Sequence, residues 1–248
     1  MSAGFQCKQF YIAHDRCAMK VGTDGLLLGA WSPLPTQGNI LDIGAGSGLI
    51  SLMLAQRSQG LVPITAIELD AAAAEQGREN ISLSPWPNSI SLITADILAY
   101  RPTERYRLIV SNPPFFQHSM PAKQSGRQLA RHTDSLPFNS LLKKAASLLD
   151  AQGVFALVLP YQGIAQFIQL AQSLGWQLQQ HCVVFTKQNK AHRSLISLVP
   201  TCTSKVQAVH SQLLIHNLDG SYSTEYQQLL AAFYLKFPDA IKRPRVTD

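Results

Sequence analysis

Two short motifs have the residue types and order to do chemistry together. One is the glycine-rich turn Asp42-Ile43-Gly44-Ala45-Gly46-Ser47-Gly48, and the other is the corner Asn112-Pro113-Pro114-Phe115. A strand that runs into such a turn and opens a helix lets backbone approach a ligand, because side chains larger than hydrogen would block it. A dinucleotide fingerprint reads GxGxxG. Here the third glycine is Gly48 and Leu49 follows it, and the Lys-Ser/Thr of a P-loop is missing. The turn therefore suits a nucleoside-type cofactor. In the second motif, Pro113 and Pro114 fix φ and disfavour helix before them, which makes a stiff, extended corner. The Asn112 amide oxygen and the Pro113 carbonyl can then point at one spot. Two acceptors there would hold an exocyclic NH2 with its lone pair facing a methyl donor. No strong general base is required, since positioning and hydrogen bonding supply much of the rate. Phe115 offers a ring for base stacking, worth ~1–3 kcal/mol per base in comparable settings. Together the motifs point to N-methylation from S-adenosyl-L-methionine.

Strands and helices must place these motifs. From residue 39 the chain alternates: NILDI, PITAIEL, SISLITA and YRLIVS read as strands, with SGLISLMLAQRS and AAAAEQGREN as helices between the first three. The second strand ends at Glu68, whose carboxylate can accept from both ribose hydroxyls. Asp96 follows the third and is placed to accept from an adenine amino group. Either residue alone would read as a solvated turn. Three consecutive strands, each ending in a suitable group, make a nucleoside site the better reading. Residues 112–136 lack a period and read as a long loop of functional type. PFNSLLKKAASLL and IAQFIQLAQSLGW read as helices around the strand GVFALVLP. VVFTK, SLISLVP and VQAVHSQLLIH then read as strands without helices between them, an antiparallel end on a mostly parallel sheet. TEYQQLLAAFYLKF closes as an amphipathic helix whose LLAAFYLKF stripe is assigned to the core. Residues 5–12 alternate as a short strand, and Thr23-Asp24 marks a helix start with oxygen acceptors for free N–H groups.

With 248 residues, 46% of them apolar and 15% charged, the chain has ample material for one α/β domain. We divide the single domain 1–248 into an N-terminal extension, 1–35, flanking cofactor and substrate, the catalytic body, and a basic tail, 236–248. Cys7, Cys17, Cys182 and Cys202 form no CxxC and no metal-ligand spacing, so neither zinc nor a disulfide framework is expected. The seven histidines show no HxxxH pattern, which gives hydrolytic and metal roles little weight. No apolar run is long enough for a membrane span, and the N-terminal MSAGFQCKQFYIAH has no apolar h-region for a signal peptide. A cytoplasmic monomer is expected. The net charge of +6 fits either an anionic partner or a solvated surface.

MKVGTDGLLLGAW, LDIGAGSGLI, AIELD and SNPPFF, in this order, resemble the bacterial tRNA(Val) adenine-N6 methyltransferase family. The resemblance runs from about Phe5 to Phe237 and takes in Arg127-Gln-Leu-Ala-Arg131-His132. The glycine turn and NPP corner are shared with many class I amino-methyltransferases, whereas the set as a whole is specific. It implies a Rossmann-like, mostly parallel seven-stranded sheet with an antiparallel strand near the C-terminal end. It implies that Lys20, Gly22, Thr23 and Asp24 flank the methionine end of the cofactor, that Asp42, Gly44 and Gly46 contact it, and that Glu68 and Asp96 hold ribose and adenine. Asn112 is then the catalytic residue, with Pro113 and Phe115 completing the pocket. The implied substrate is the adenine beside the anticodon of tRNA(Val), unpaired or flipped out, since a base inside a helix cannot reach such a corner.

Arg127, Arg131 and His132, with Lys123, are candidate phosphate contacts beside the target, weighed against a solvated loop face. Lys187, Lys190, His192 and Arg193 form a second basic cluster, and Lys236, Lys242, Arg243 and Arg245 a third. Charge runs of this kind are more often simply exposed. Two other readings stand beside the leading one. An NPP corner would equally hold the amide of a protein glutamine, as in release-factor methylation, although this chain has no N-terminal helical docking domain and carries Phe115 where those enzymes usually have tyrosine. A non-catalytic RNA-binding module is the third, and the intact Asn112 argues against it.

Overall fold

The computed structural model describes residues 4–114, 136–202 and 206–238. After a small hairpin, β1 (Gly4–Gln6) with β2 (Tyr11–Ala13), the described chain runs α1 (Thr23–Trp31), β3 (Ile40–Ile43), α2 (Leu49–Arg57), β4 (Ile64–Glu68), α3 (Ala71–Ser82), β5 (Ile90–Thr94) and β6 (Tyr106–Ser111). It continues through α4 (Phe138–Leu148), β7 (Leu149–Pro160), α5 (Ile164–Ser173), β8 (Trp176–Lys187), β9 (Lys190–Pro200), β10 (Val209–Leu214) and α6 (Thr224–Leu230).

The main sheet has the order β10-β8-β9-β7-β6-β3-β4-β5. Only β9 runs against the others: it pairs antiparallel with β7 and β8, and every remaining pair is parallel. The central strands read as continuous apolar runs because both faces are covered. Successive residues go to opposite cores. Ile40, Leu108, Val110, Ala156 and Val158 join the core shared with α1, α2 and α6. Leu41, Ile43, Ile109, Phe155 and Leu157 join the core shared with α4 and α5.

Three details depart from the sequence reading. The sheet has eight strands rather than seven: β10 adds to the edge in parallel with β8, from Val209↔Gln180 to Leu214↔Phe185. The count of seven came from the family sheet, whereas the run VQAVHSQLLIH carries its own strand alternation. The N-terminal strand is a two-stranded hairpin, paired Gly4↔Ala13 through Gln6↔Tyr11. The closing helix stops at Leu230, and residues beyond it fold back in turns. Leu230, Phe233 and Phe237 are buried as expected of a core stripe.

The order places a switch point between β3 and β6. Successive parallel strands proceed outward from β3 through β4 and β5, then in the other direction from β6. Ligands bind at such a crevice, outside the carboxyl ends of the strands. Here the register is decisive: Ile43 pairs with Ser111, and the Ser111 hydroxyl donates to the Ile43 carbonyl at 2.9 Å. The residues that follow, Gly44 and Asn112, therefore leave the sheet side by side.

Candidate active site

The glycine turn is held open by its backbone. Gly44, Gly46 and Gly48 have φ of 74°, 53° and 82°, the left-handed region that side chains rarely adopt. A Cβ at Gly44 or Gly46 would meet no protein atom within 4 Å, so the space above the turn belongs to no neighbour. Beneath it the packing is tight. A Cβ on Gly77 of α3 would stand 2.9 Å from the Gly46 carbonyl. Gly44 and Ala45 N–H groups donate to the Ile67 carbonyl, and Gly46 N–H donates to Glu68 Oε2 at 2.7 Å. Glu68 also accepts from Asp70 N–H through Oε1, at 2.9 Å. The half-buried Glu68 carboxylate thus fixes the turn. Each carboxylate oxygen retains acceptor capacity after one bond.

Asp42 lies at the end of β3 and is fully buried. Its Oδ2 accepts from the Ser51 hydroxyl at 2.7 Å, while Oδ1 has no hydrogen-bond partner. Burial pushes its pKa up to about 7, against the lowering effect of Ser51. Asp96 is exposed after β5, and its Oδ1 accepts from Leu98 N–H at 2.8 Å.

Asn112 carries the observation that matters most for chemistry. Its side chain lines a cavity of about 420 Å³ together with Gly44 and Gly46, and its Oδ1 is buried with no donor. Buried amide oxygens are rarely left unpaired, because an unmet acceptor costs about 1–3 kcal/mol. Pro113 behind it is buried, which stiffens the corner.

Lys20, Gly22, Thr23 and Asp24 line the same cavity. Their segment is held from below by α3. Asn80 donates from Nδ2 to the carbonyls of Ala13 and Ser47, both at 2.9 Å, and accepts from Ala13 N–H at 3.0 Å. Gln76 accepts from Arg16 N–H at 3.0 Å and donates to Asp15 Oδ1 at 2.6 Å, and Arg16 pairs with Glu79. Val21 N–H donates to His14 Nδ1 at 3.1 Å. The helix begins at Thr23 as the sequence indicates, with a difference in the cap. Gly22 is the N-cap and no side chain caps the first turn; Asp24 instead accepts from Arg193 Nε of β9 at 2.7 Å.

The structure thus gathers Lys20, Gly22, Thr23, Asp24, Gly44, Gly46 and Asn112 around one cavity. Asp42 sits buried behind the turn, and Glu68 and Asp96 stand at neighbouring strand ends outside the cavity wall. Phe115, Lys123, Arg127, Arg131, His132, Lys242, Arg243 and Arg245 lie outside the described residues. Sequence reasoning missed a second wall, formed by Thr186, His216, Tyr222, Tyr226 and Tyr234 with the previously noted His192 and Arg193. Of these, Tyr234 had been absorbed into the core stripe LLAAFYLKF, while Tyr222 precedes α6 and Tyr226 lies within it. Gln76 and Asn80 were also missed; polar residues on the buried side of a helix are the signal they offer.

Comparison with known proteins agrees with this fold. A predicted O-methyltransferase from Agrobacterium tumefaciens superposes with a TM-score of 0.66 at 18% identity, over 85% of this chain and 96% of its own. The glycopeptide N-methyltransferase MtfA complexed with S-adenosylmethionine gives 0.53 at 14% identity, over 71% and 94%. Residues 19–190 match the family described as methyltransferase small domain. The fold and the family match thus define a methyltransferase.

Relatives make the assignment narrower. Proteins named tRNA1(Val) (adenine(37)-N6)-methyltransferase are 48% identical in Pectobacterium carotovorum, over 94% of both chains, and 45% identical in Salmonella typhi, over 94% of this chain and 95% of the relative. The chain belongs to the tRNA1(Val) (adenine(37)-N6)-methyltransferase family.

Proposed function

We propose that the protein transfers a methyl group from S-adenosyl-L-methionine to N6 of the unpaired adenine beside the anticodon of tRNA(Val). The observation that carries the reading is the buried Asn112 Oδ1, left without a hydrogen-bond partner on a residue that lines the same cavity as the glycine turn. An adenine amino group has a proton to fill that acceptor and a second for the Pro113 carbonyl.

The residues present fit the cofactor. The empty shells around Gly44 and Gly46 allow close backbone approach, and the first turn of α1 has no side-chain cap. We assign Lys20, Gly22, Thr23 and that turn to the methionine end, where free N–H groups favour a carboxylate. Asp24, tied to Arg193, orients this segment. Asp42 supports the turn from behind. Glu68, using its remaining lone pairs, is assigned to the ribose hydroxyls, and Asp96 Oδ2 to the adenine amino group. The cofactor supplies an electrophilic methyl group. Asn112 and Pro113 orient the acceptor nitrogen and favour its pyramidalisation, so that its lone pair forms the N–C bond in place of delocalisation into the ring and one of its two N–H protons is then released. Phe115 is assigned to stacking, and Arg127, Arg131, His132, Lys242 and Arg243 to RNA phosphates.

The chemistry asks for no metal, and the protein is read as a cytoplasmic monomer with one catalytic domain. Among the described residues no helix is long and apolar enough to cross a membrane. The names of the relatives favour adenine over a protein glutamine.

Incubation with methyl-labelled cofactor and tRNA lacking the modification tests the reading. N6-methyladenine at the position beside the anticodon is expected after nucleoside digestion. Label in a release-factor glutamine with none in tRNA would replace this reading by its alternative.

A further inference from the structure

The cavity continues past Asn112 along the carboxyl edge of the sheet to a wall that the methyl-transfer reading leaves without a role. His216 follows β10 and donates from Nδ1 to the Thr186 carbonyl at 3.1 Å. Its ring stacks on Tyr222, with centroids 4.9 Å apart and planes 28° apart. Tyr222 in turn stacks on Tyr226 at 5.2 Å and 21°. The three rings form a column. A tight turn fixes it: Asn217 N–H donates to the Ser221 carbonyl at 2.8 Å, Ser223 N–H donates to the Ile215 carbonyl at 2.9 Å, and the Ser223 hydroxyl caps Tyr226 N–H at 3.1 Å.

Beside the column, the β8–β9 hairpin brings up Lys187, Lys190 and His192, all exposed. Arg193 of the same hairpin also lines the cavity while bonded to Asp24. A cavity with stacked rings in one wall and lysines on the hairpin that forms another matches the base and the phosphate of a nucleotide. Unpaired bases in RNA stack on aromatic and histidine rings, and their phosphates take Lys and Arg.

We propose that this second wall is a binding site for a nucleotide flanking the target adenine. Its base extends the column on the His216 face not covered by Tyr222, and its phosphate meets Lys190 and His192. The inference rests on RNA being the substrate. It assigns to the C-terminal strand and turn the task of holding the loop splayed while the target base turns into the Asn112 corner.

The test compares His216→Ala with His216→Phe in the full chain, measuring tRNA Kd by filter binding, tRNA KM in the methylation assay, and cofactor Kd by calorimetry. His216→Ala is expected to weaken tRNA binding about tenfold, as the loss of one stacked base should, with His216→Phe near wild type and cofactor Kd unchanged. Lys190→Ala should weaken tRNA further and leave the cofactor unaffected. If both His216 variants bind tRNA like the wild type, or if cofactor affinity falls instead, the proposal is overturned. If the wild type binds tRNA without methylating it, the functional reading fails while the Kd comparison still decides this site. If the wild type does not bind tRNA, both fail.

Discussion

At the residue scale, the site depends on two buried oxygens with no donor, and they behave differently. Asn112 lines the cavity, and its Oδ1 is assigned to the acceptor amine. Asn112→Ala should lower kcat by about 100-fold or more, the scale on which one preorganised polar contact acts, while tRNA Kd changes little. An unchanged kcat would remove Asn112 from the mechanism. Asp42 Oδ1 is enclosed by protein, and burial raises its carboxyl to about 7. Its folded pKa lies above the unfolded value of about 3.9, so the folded state holds the proton more tightly. That contribution to stability is fully present below the unfolded pKa and is lost as pH rises through about 7. Thermal melts should therefore show stability falling from about pH 4 to about pH 8, and Asp42→Asn should flatten the slope. A wild-type profile parallel to that of the variant would contradict it.

At the element scale, the turn after β3 and the segment before α1 are positioned by different means. The turn relies on left-handed glycine backbone. Gly46→Ala should cost about 1–2 kcal/mol in urea unfolding, because its Cβ meets strain but no protein atom. The same Cβ would occupy ligand space, so cofactor affinity should fall at least about tenfold, more than the stability loss explains. Equal affinity would show that no ligand approaches Gly46. The segment 14–22, by contrast, is clasped by α3. Asn80→Ala would strand the Ala13 N–H and the carbonyls of Ala13 and Ser47. A loss of about 2–4 kcal/mol in denaturant unfolding is expected, together with weaker cofactor binding as Lys20 to Asp24 lose their support. Unaltered unfolding would mean the clasp is dispensable. Much of this was legible beforehand. The glycines, the strand before them and the start of α1 follow from local pattern, whereas Gln76 and Asn80 look like ordinary polar helix residues until the hairpin packs over them.

At the scale of the whole molecule, the +6 charge and the basic hairpin 187–193 set the expected dependence on salt. Phosphate contacts release counterions, so raising monovalent salt from about 50 to about 200 mM should weaken tRNA binding at least about tenfold while cofactor Kd stays nearly constant. A flat salt response would argue that the charge is merely solvated. The sheet joins the two kinds of binding. Its switch point between β3 and β6 holds the Asn112 corner proposed for methyl transfer, and its far edge, through β8, β9 and β10, carries the aromatic wall.

The sequence by itself determined the two motifs, the chemistry they suit and the strand–helix alternation that carries them. These follow from backbone preferences and burial periodicity, which act over a few residues. The tertiary structure decided which distant residues meet. The Ile43↔Ser111 register sets Gly44 beside Asn112, Arg193 reaches from β9 to Asp24, and an eighth strand brings His216 and Tyr222 to the cavity. Strand register is chosen by how all the buried faces pack at once. No local stretch of the chain contains that information.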